Sequence, residues 1–161
     1  MQYDRQALID QLIIHEGMEL KVYKDSLGID TIGVGRNLED RGITDGELAF
    51  MNLLRSDIYE QGITEGNARW LLSNDIDIIE KELSDVHPCI NSLGDVRLRV
   101  VLDMAFNMGV PRLCKFKKMW EAIHNASYAT AAEEMLDSRW ATQVGRRAER
   151  LSIAMRTGDM A

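Results

Sequence analysis

Apolar positions recur at helical spacing along most of this chain, and one short stretch breaks the rhythm. Leu8, Ile9, Leu12 and Ile13 form a stripe within residues 4–16, with Asp4 placed to cap its start. Gly17 follows Glu16 and can take the left-handed conformation that closes a helix. The pattern then becomes that of a hairpin. Leu20, Val22 and Tyr23 suit a first strand, Asp25-Ser26-Leu27-Gly28 has turn composition, and Thr31, Ile32 and Val34 supply a β-branched return strand. Residues 36–42 read as a polar loop with room for a short third strand.

Helical patterning resumes at Thr44. With Glu47 three residues on, it marks a capping box and predicts a helix over 45–56. Gly62-Ile63-Thr64-Glu65-Gly66 repeats the local pattern of Gly42-Ile43-Thr44-Asp45-Gly46. Two copies mark two similar helix starts and not a repeat architecture. The second of these helices, about 64–83, carries Ala68, Leu71, Leu72, Ile76, Ile79 and Leu83 on one face. It is long enough to join a small N-terminal lobe to a helical C-terminal one. His87-Pro88 ends it, because a residue before proline disfavours helical geometry. Beyond Ser92 every segment reads helical: the apolar run 96–108, then 115–125, 128–140 and 145–155.

At 161 residues the chain suits one domain, or two small lobes sharing a helix. A formal net charge of −7 argues against a duplex nucleic-acid binder, which needs a basic surface. Any attraction to an anionic polymer must then be local. No apolar run approaches the roughly 18 to 20 residues of a membrane span, so stable membrane insertion is not expected. The segment MQYDRQALID has no basic region followed by an apolar core, so no signal peptide is expected and the chain should fold in the cytoplasm. Cys89, Cys114 and the dispersed His15, His87 and His124 lack metal-ligand spacing; no metal and no cofactor is expected.

Two carboxylates and a hydroxyl punctuate the helix end and hairpin: Glu16, then Asp25 after eight residues, then Thr31 after five, with TIGVG closing the run. That spacing resembles the T4-type phage lysozymes of glycoside hydrolase family 24. The likeness continues through GITEGNARWLLSNDID at 62–77, AFNMG at 105–109, SRW at 138–140 and RTG at 156–158, with a small deletion implied near 80–90. The resemblance implies an α+β, mostly helical, lysozyme-like two-lobe fold in a single domain over 1–161. Its N-terminal lobe would span about 14–63 with a small β-sheet. A linking helix would cover about 64–83 and an all-helical C-terminal lobe about 84–161, with helix 4–16 packing on it.

The resemblance also implies a function. The family cuts peptidoglycan at the β-1,4 bond between N-acetylmuramic acid and N-acetylglucosamine. Glycoside cleavage needs one carboxylic acid to protonate the leaving oxygen and a second carboxylate across from it. Glu16 matches the general acid, and Asp25 with Thr31 the water-positioning pair. Leu38 (or Asn37), Phe106, Asn107, Met119 and Glu134 match substrate-binding positions, the last two with changed residue types. Arg147 matches the arginine that pairs with the catalytic glutamate. Arg36 stands where many relatives carry a histidine and Asp75 where they carry its partner. The two are expected to pair, with the folded pKa of Asp75 depressed by the guanidinium. Expected partners are peptidoglycan strands and a holin that opens the membrane; a monomer is expected. A lytic transglycosylase, or a glycan-binding module that kept the fold without the chemistry, are the alternatives.

Overall fold

Asp4 caps the first helix as its position predicts, its carboxylate accepting the Ala7 N–H at 2.9 Å. In the computed structural model, which describes residues 1–160, this helix is α1, Arg5–Glu16. Strands β1 (Glu19–Lys24), β2 (Asp30–Gly33) and β3 (Arg36–Asn37) form an antiparallel sheet in that order. Then come α2 (Asp45–Met51), α3 (Arg55–Glu60) and the long α4 (Glu65–Val86). A 3-10 turn over Pro88–Ser92 leads to α5 (Asp95–Met108), α6 (Val110–Leu113) and α7 (Lys117–His124). Finally α8 (Tyr128–Leu136), α9 (Arg139–Val144) and α10 (Arg146–Thr157) complete the chain. The class is the expected one, α+β and mostly helical.

Several expected helices are divided. The predicted 45–56 helix stops at Asn52, which takes a left-handed conformation (φ 55°) and ends α2. The Asp57 carboxylate then accepts the Leu54 N–H at 2.7 Å and starts α3. Likewise 128–140 breaks because Ser138 caps a new helix, accepting the Ala141 N–H at 3.1 Å. The long helix runs on to Val86 and stops at His87-Pro88.

By compactness the chain divides into residues 9–75 on one hand and 1–8 with 76–161 on the other. The divisions fall inside α1 and α4. In the second unit α5 supplies the buried Leu98, Val101, Leu102, Met104 and Ala105, and packs against α10 through residues such as Leu151 and Met155. The 9–75 unit has its own core of Ile32, Ile43, Leu48, Ile58, Ile63, Ala68 and Leu71. Val22 of β1 and Leu38 pack against it. The approach of the chain at Gly62 is close. Ile63 N–H donates to the Leu20 carbonyl at 2.8 Å, and a Cβ added at Gly62 (φ 79°) would fall onto that same oxygen.

Behind the sheet lies a buried guanidinium. Arg36, 4% exposed, donates through Nε to Asp75 at 3.2 Å. Its Nη1 reaches the Gly42 carbonyl and Glu47, each at 2.9 Å; Nη2 reaches Glu47 and the Leu71 carbonyl, each at 3.1 Å. All five guanidinium hydrogens therefore have acceptors. Glu47 also receives the Thr44 N–H at 3.0 Å, completing the predicted capping box, and the Asn74 amide at 3.0 Å. Arg41 pairs with Asp75 from the solvent side.

The expected Arg36–Asp75 pair exists, but its electrostatics differ from expectation. Burial pushes the Asp75 carboxyl above its ordinary 3.8, outweighing Arg36 and Arg41. Burial acts on Glu47 too; there the bonds from Arg36, the Thr44 N–H and Asn74 win and hold its carboxyl down at about 2 from 4.5. Arg36 favours the charge of both carboxylates, but it is at Glu47 and not at Asp75 that the favourable bonds prevail over burial, so the expected depression falls on Glu47.

These shifts have opposite signs in pH. Glu47 has a depressed folded pKa, so its stabilisation is present above about 4.5 and is lost as pH falls toward about 2. Asp75 has a raised one, so its contribution is present below 3.8 and is lost as pH rises through the folded value. In thermal melts between pH 7 and 2.5, Glu47→Gln is expected to lose the most at neutral pH and to flatten the acid limb. Asp75→Asn should cost less and leave that limb in place; the reverse order would refute the assignment. Arg36→Met should cost about 3–5 kcal/mol, the range for one partner removed from a buried pair. Its coupling to Asp75→Asn should not fade between pH 5.5 and 7.5 through any loss of charge on arginine, which stays charged throughout.

Candidate active site

Glu16 is the last residue of α1, partly buried, and the chain turns away directly after it. Gly17 makes that turn: its φ is 80°, and its N–H closes the helix on the Ile13 carbonyl at 2.8 Å. The left-handed geometry suits glycine, so the position that frees Glu16 from a fourth turn is written in the sequence.

Asp25 opens the hairpin turn and builds it. One carboxylate oxygen, Oδ1, accepts the N–H groups of Leu27 at 2.8 Å and Ile29 at 3.0 Å. Its backbone N–H donates to the Ile29 carbonyl at 3.0 Å, and its carbonyl accepts the Gly28 N–H at 2.9 Å. This is the local bonding that makes aspartate a turn former. The same Ile29 carbonyl also accepts the Thr31 hydroxyl at 2.9 Å. One residue, Ile29, thus fixes both side chains through its backbone. Lys24 and Asp30, paired across the strands at 2.7 Å, close the base of the turn.

The two faces of the sheet differ in character. Val22 and Ile32 lie on the core side. Successive residues of a strand alternate, and directly opposed residues share a face. Tyr23 is opposite Thr31, and Thr31 is opposite Asn37. A polar row, Tyr23–Thr31–Asn37, therefore crosses the face turned away from the core, and Asp25 lies two residues beyond Tyr23 on the same strand edge. Asn37 spends its amide oxygen on the Glu39 and Asp40 N–H groups, at 2.7 and 3.0 Å. Burial, then the charges of Glu19, Glu16 and Asp25, push the Tyr23 phenol above its ordinary 10.0. One group thus senses both Glu16 and Asp25.

Of the alternatives Asn37 and Leu38, Asn37 stands in the Thr31 row, while Leu38 packs against the core. In the 76–161 unit, Met119 and Glu134 line one cavity of about 480 Å³ with Phe116 and Trp140. Arg112, Lys115, Lys117, Lys118 and Arg139 also line it, so the acidic chain carries a locally basic hollow. Met119 itself is buried. Phe106 and Asn107 lie outside this lining; Asn107 accepts the Trp140 indole N–H at 2.7 Å. Arg147 donates to the fully buried Asp103, Nε to Oδ1 at 2.9 Å. Sequence reasoning passed over Ile29, Glu47 and Asp103. Ile29 acts through its backbone, which no side-chain pattern announces. Glu47 showed only its capping signature, and Asp103 only a polar gap in the apolar run of α5.

Comparison with known proteins places the chain in a family. The phage lysozyme family model matches residues 14–156. A probable T4-type lysozyme 2 of Dictyostelium discoideum is 32% identical over 165 aligned positions, covering 96% of each chain. Its companion, probable T4-type lysozyme 1, is 28% identical with the same coverage. The pre-baseplate central spike protein Gp5 of Enterobacteria phage T4 is also 28% identical, matched over 96% of this chain but 28% of that protein. With the match running from the end of α1 through the hairpin to the last helix, this chain belongs to the phage lysozyme family.

Proposed function

We propose that this chain is an endolysin that hydrolyses the β-1,4 bond between N-acetylmuramic acid and N-acetylglucosamine in peptidoglycan. Glu16 acts as general acid, and Asp25 with Thr31 holds the attacking water. The observation that carries this reading is how the hairpin divides its hydrogen bonds. Asp25 Oδ1 is taken by the turn, so Oδ2 is the oxygen offered to a water hydrogen. Thr31 gives its only proton to Ile29, so toward water its hydroxyl is an acceptor. Two acceptors grip both hydrogens of one water and leave an oxygen lone pair for the anomeric carbon. As that bond forms, the proton passes to Asp25 while Glu16 protonates the departing glycosidic oxygen. The basic cavity around Met119 and Glu134 suits the acidic groups of the polymer, and offsets locally a chain of net charge −7.

On this reading the protein waits in the host cytoplasm and reaches the wall through a membrane opened by a holin, leading to lysis. A monomer suffices, since the three groups lie on one chain. A lytic transglycosylase would need no held water and would leave an anhydro product; analysis of the product's reducing end separates the two.

Glu16→Gln should lower wall hydrolysis by about 10²-fold or more, the usual worth of a general acid. Its melting temperature should stay level or rise, and clearing of permeabilised bacteria measures the activity. Retained clearing would remove Glu16 from the chemistry. Asp25→Asn separates charge from structure, because the amide oxygen can still accept the Leu27 and Ile29 N–H groups. It should melt like the parent and lose activity. Asp25→Ala should lose activity and also about 1 kcal/mol or more with the turn bonds. Full activity in Asp25→Asn would leave Asp25 a turn former alone. Thr31→Ala should lose activity while Thr31→Ser keeps it; equal rates in both would make the hydroxyl irrelevant.

A further inference from the structure

We propose that Tyr23 is a positioning residue of this site, its phenol donating a hydrogen bond to the water held between Asp25 and Thr31. The inference rests on the reading of Asp25 and Thr31 given above. Its independent ground is the register of the hairpin. Tyr23 is the cross-strand partner of Thr31, so both side chains rise from the same face, opposite the one that packs Val22 and Ile32. Directly opposed residues in such a pair have Cβ atoms about 4.5–5.5 Å apart, so the Tyr23 and Thr31 side chains are immediate neighbours. Asn37, on the far side of Thr31, has its amide oxygen fixed by two backbone N–H groups, which leaves its Nδ2–H group as the competing donor on this face. Tyr23 is partly exposed, and no described residue takes a hydrogen bond from its hydroxyl.

The water itself states what is missing. It donates one hydrogen to Asp25 and one to Thr31, and one lone pair must point at the anomeric carbon. The second lone pair is left to accept a hydrogen bond, which neither Asp25 nor Thr31 can give. A phenol beside them can. Burial and the surrounding carboxylates Glu19, Glu16 and Asp25 keep that phenol protonated well beyond the range in which carboxylates titrate. A neutral donor aims the water without drawing off the proton that Asp25 is to receive.

Steady-state hydrolysis of soluble peptidoglycan strands by the full chain tests this, with Tyr23→Phe, Thr31→Ala, the double variant and Glu16→Gln measured together. Tyr23→Phe should lower kcat about ten-fold, the worth of one well-placed hydrogen bond, with KM and Tm unchanged. Its pH–rate profile should keep its shape, since no titrating charge near the water has been removed. In the Thr31→Ala background the further loss should be smaller than ten-fold, because residues holding one water act non-additively. An unchanged kcat, a change confined to KM, full additivity with Thr31→Ala, or a loss that follows a lowered Tm would each overturn the proposal. Glu16→Gln separates the two levels. If it stays active, the reading of the site itself falls; if it is inactive while Tyr23→Phe runs at the parent rate, only the role of Tyr23 falls.

Discussion

A cation buried away from solvent must be matched on every hydrogen, and in the 9–75 unit that demand fixes most else. Arg36 binds the Gly42 carbonyl, Glu47 of α2, and the Leu71 carbonyl and Asp75 of α4. These acceptors are 6 to 39 residues away in sequence, so satisfying one guanidinium gathers a loop and two helices onto β3. Arg36 is also the cross-strand partner of Ile32. A slip of one residue would flip every side chain of a strand to the other face. It would lose the Ile32 core contact and the charge network together. The register that places Thr31 between Tyr23 and Asn37 is therefore specified from the opposite face of the sheet.

What the sequence made legible follows the range of the interactions involved. The Asp4 cap, the Thr44–Glu47 box, the Gly17 closure and the Asp25 turn each act within a few residues, and each was readable. Asn52 and Ser138 also act locally, yet they were missed, since a polar residue in a helical pattern is as often a solvated side chain as a break. The Arg36–Asp75 contact spans 39 residues and came from resemblance, not from periodicity. Resemblance gave the contact but not its electrostatics, because burial of Asp75 depends on everything packed around it. The full role of Glu47 lay hidden behind its cap signature: the same carboxylate caps the start of a helix and neutralises a guanidinium.

The candidate catalytic groups could be named from the sequence but not arranged. A glutamate at a helix end and an aspartate in a turn are common, and their types alone say little. The structure adds how each atom is spent, and that is what bears on chemistry. Asp25 commits one oxygen to structure and offers the other. Thr31 commits its proton and offers its lone pairs.

The Ile29 backbone is where those commitments meet. Its N–H holds the Asp25 carboxylate, and its carbonyl takes both the Asp25 N–H and the Thr31 proton. Rotating Asp25 away would leave the Ile29 N–H unpaired, at a cost of about 1–3 kcal/mol where it is shielded from water, and rotating Thr31 would take its hydroxyl proton from this acceptor. The turn is thus also the device that orients the site, and no separate scaffold is needed for it. An asparagine at position 25 satisfies the turn as well as aspartate does, so hairpin stability alone does not select the charge; on the proposed mechanism, function does. The same logic extends to position 23, where phenylalanine would fill the strand as well as tyrosine and the proposed hydrogen bond to water is what would distinguish the two.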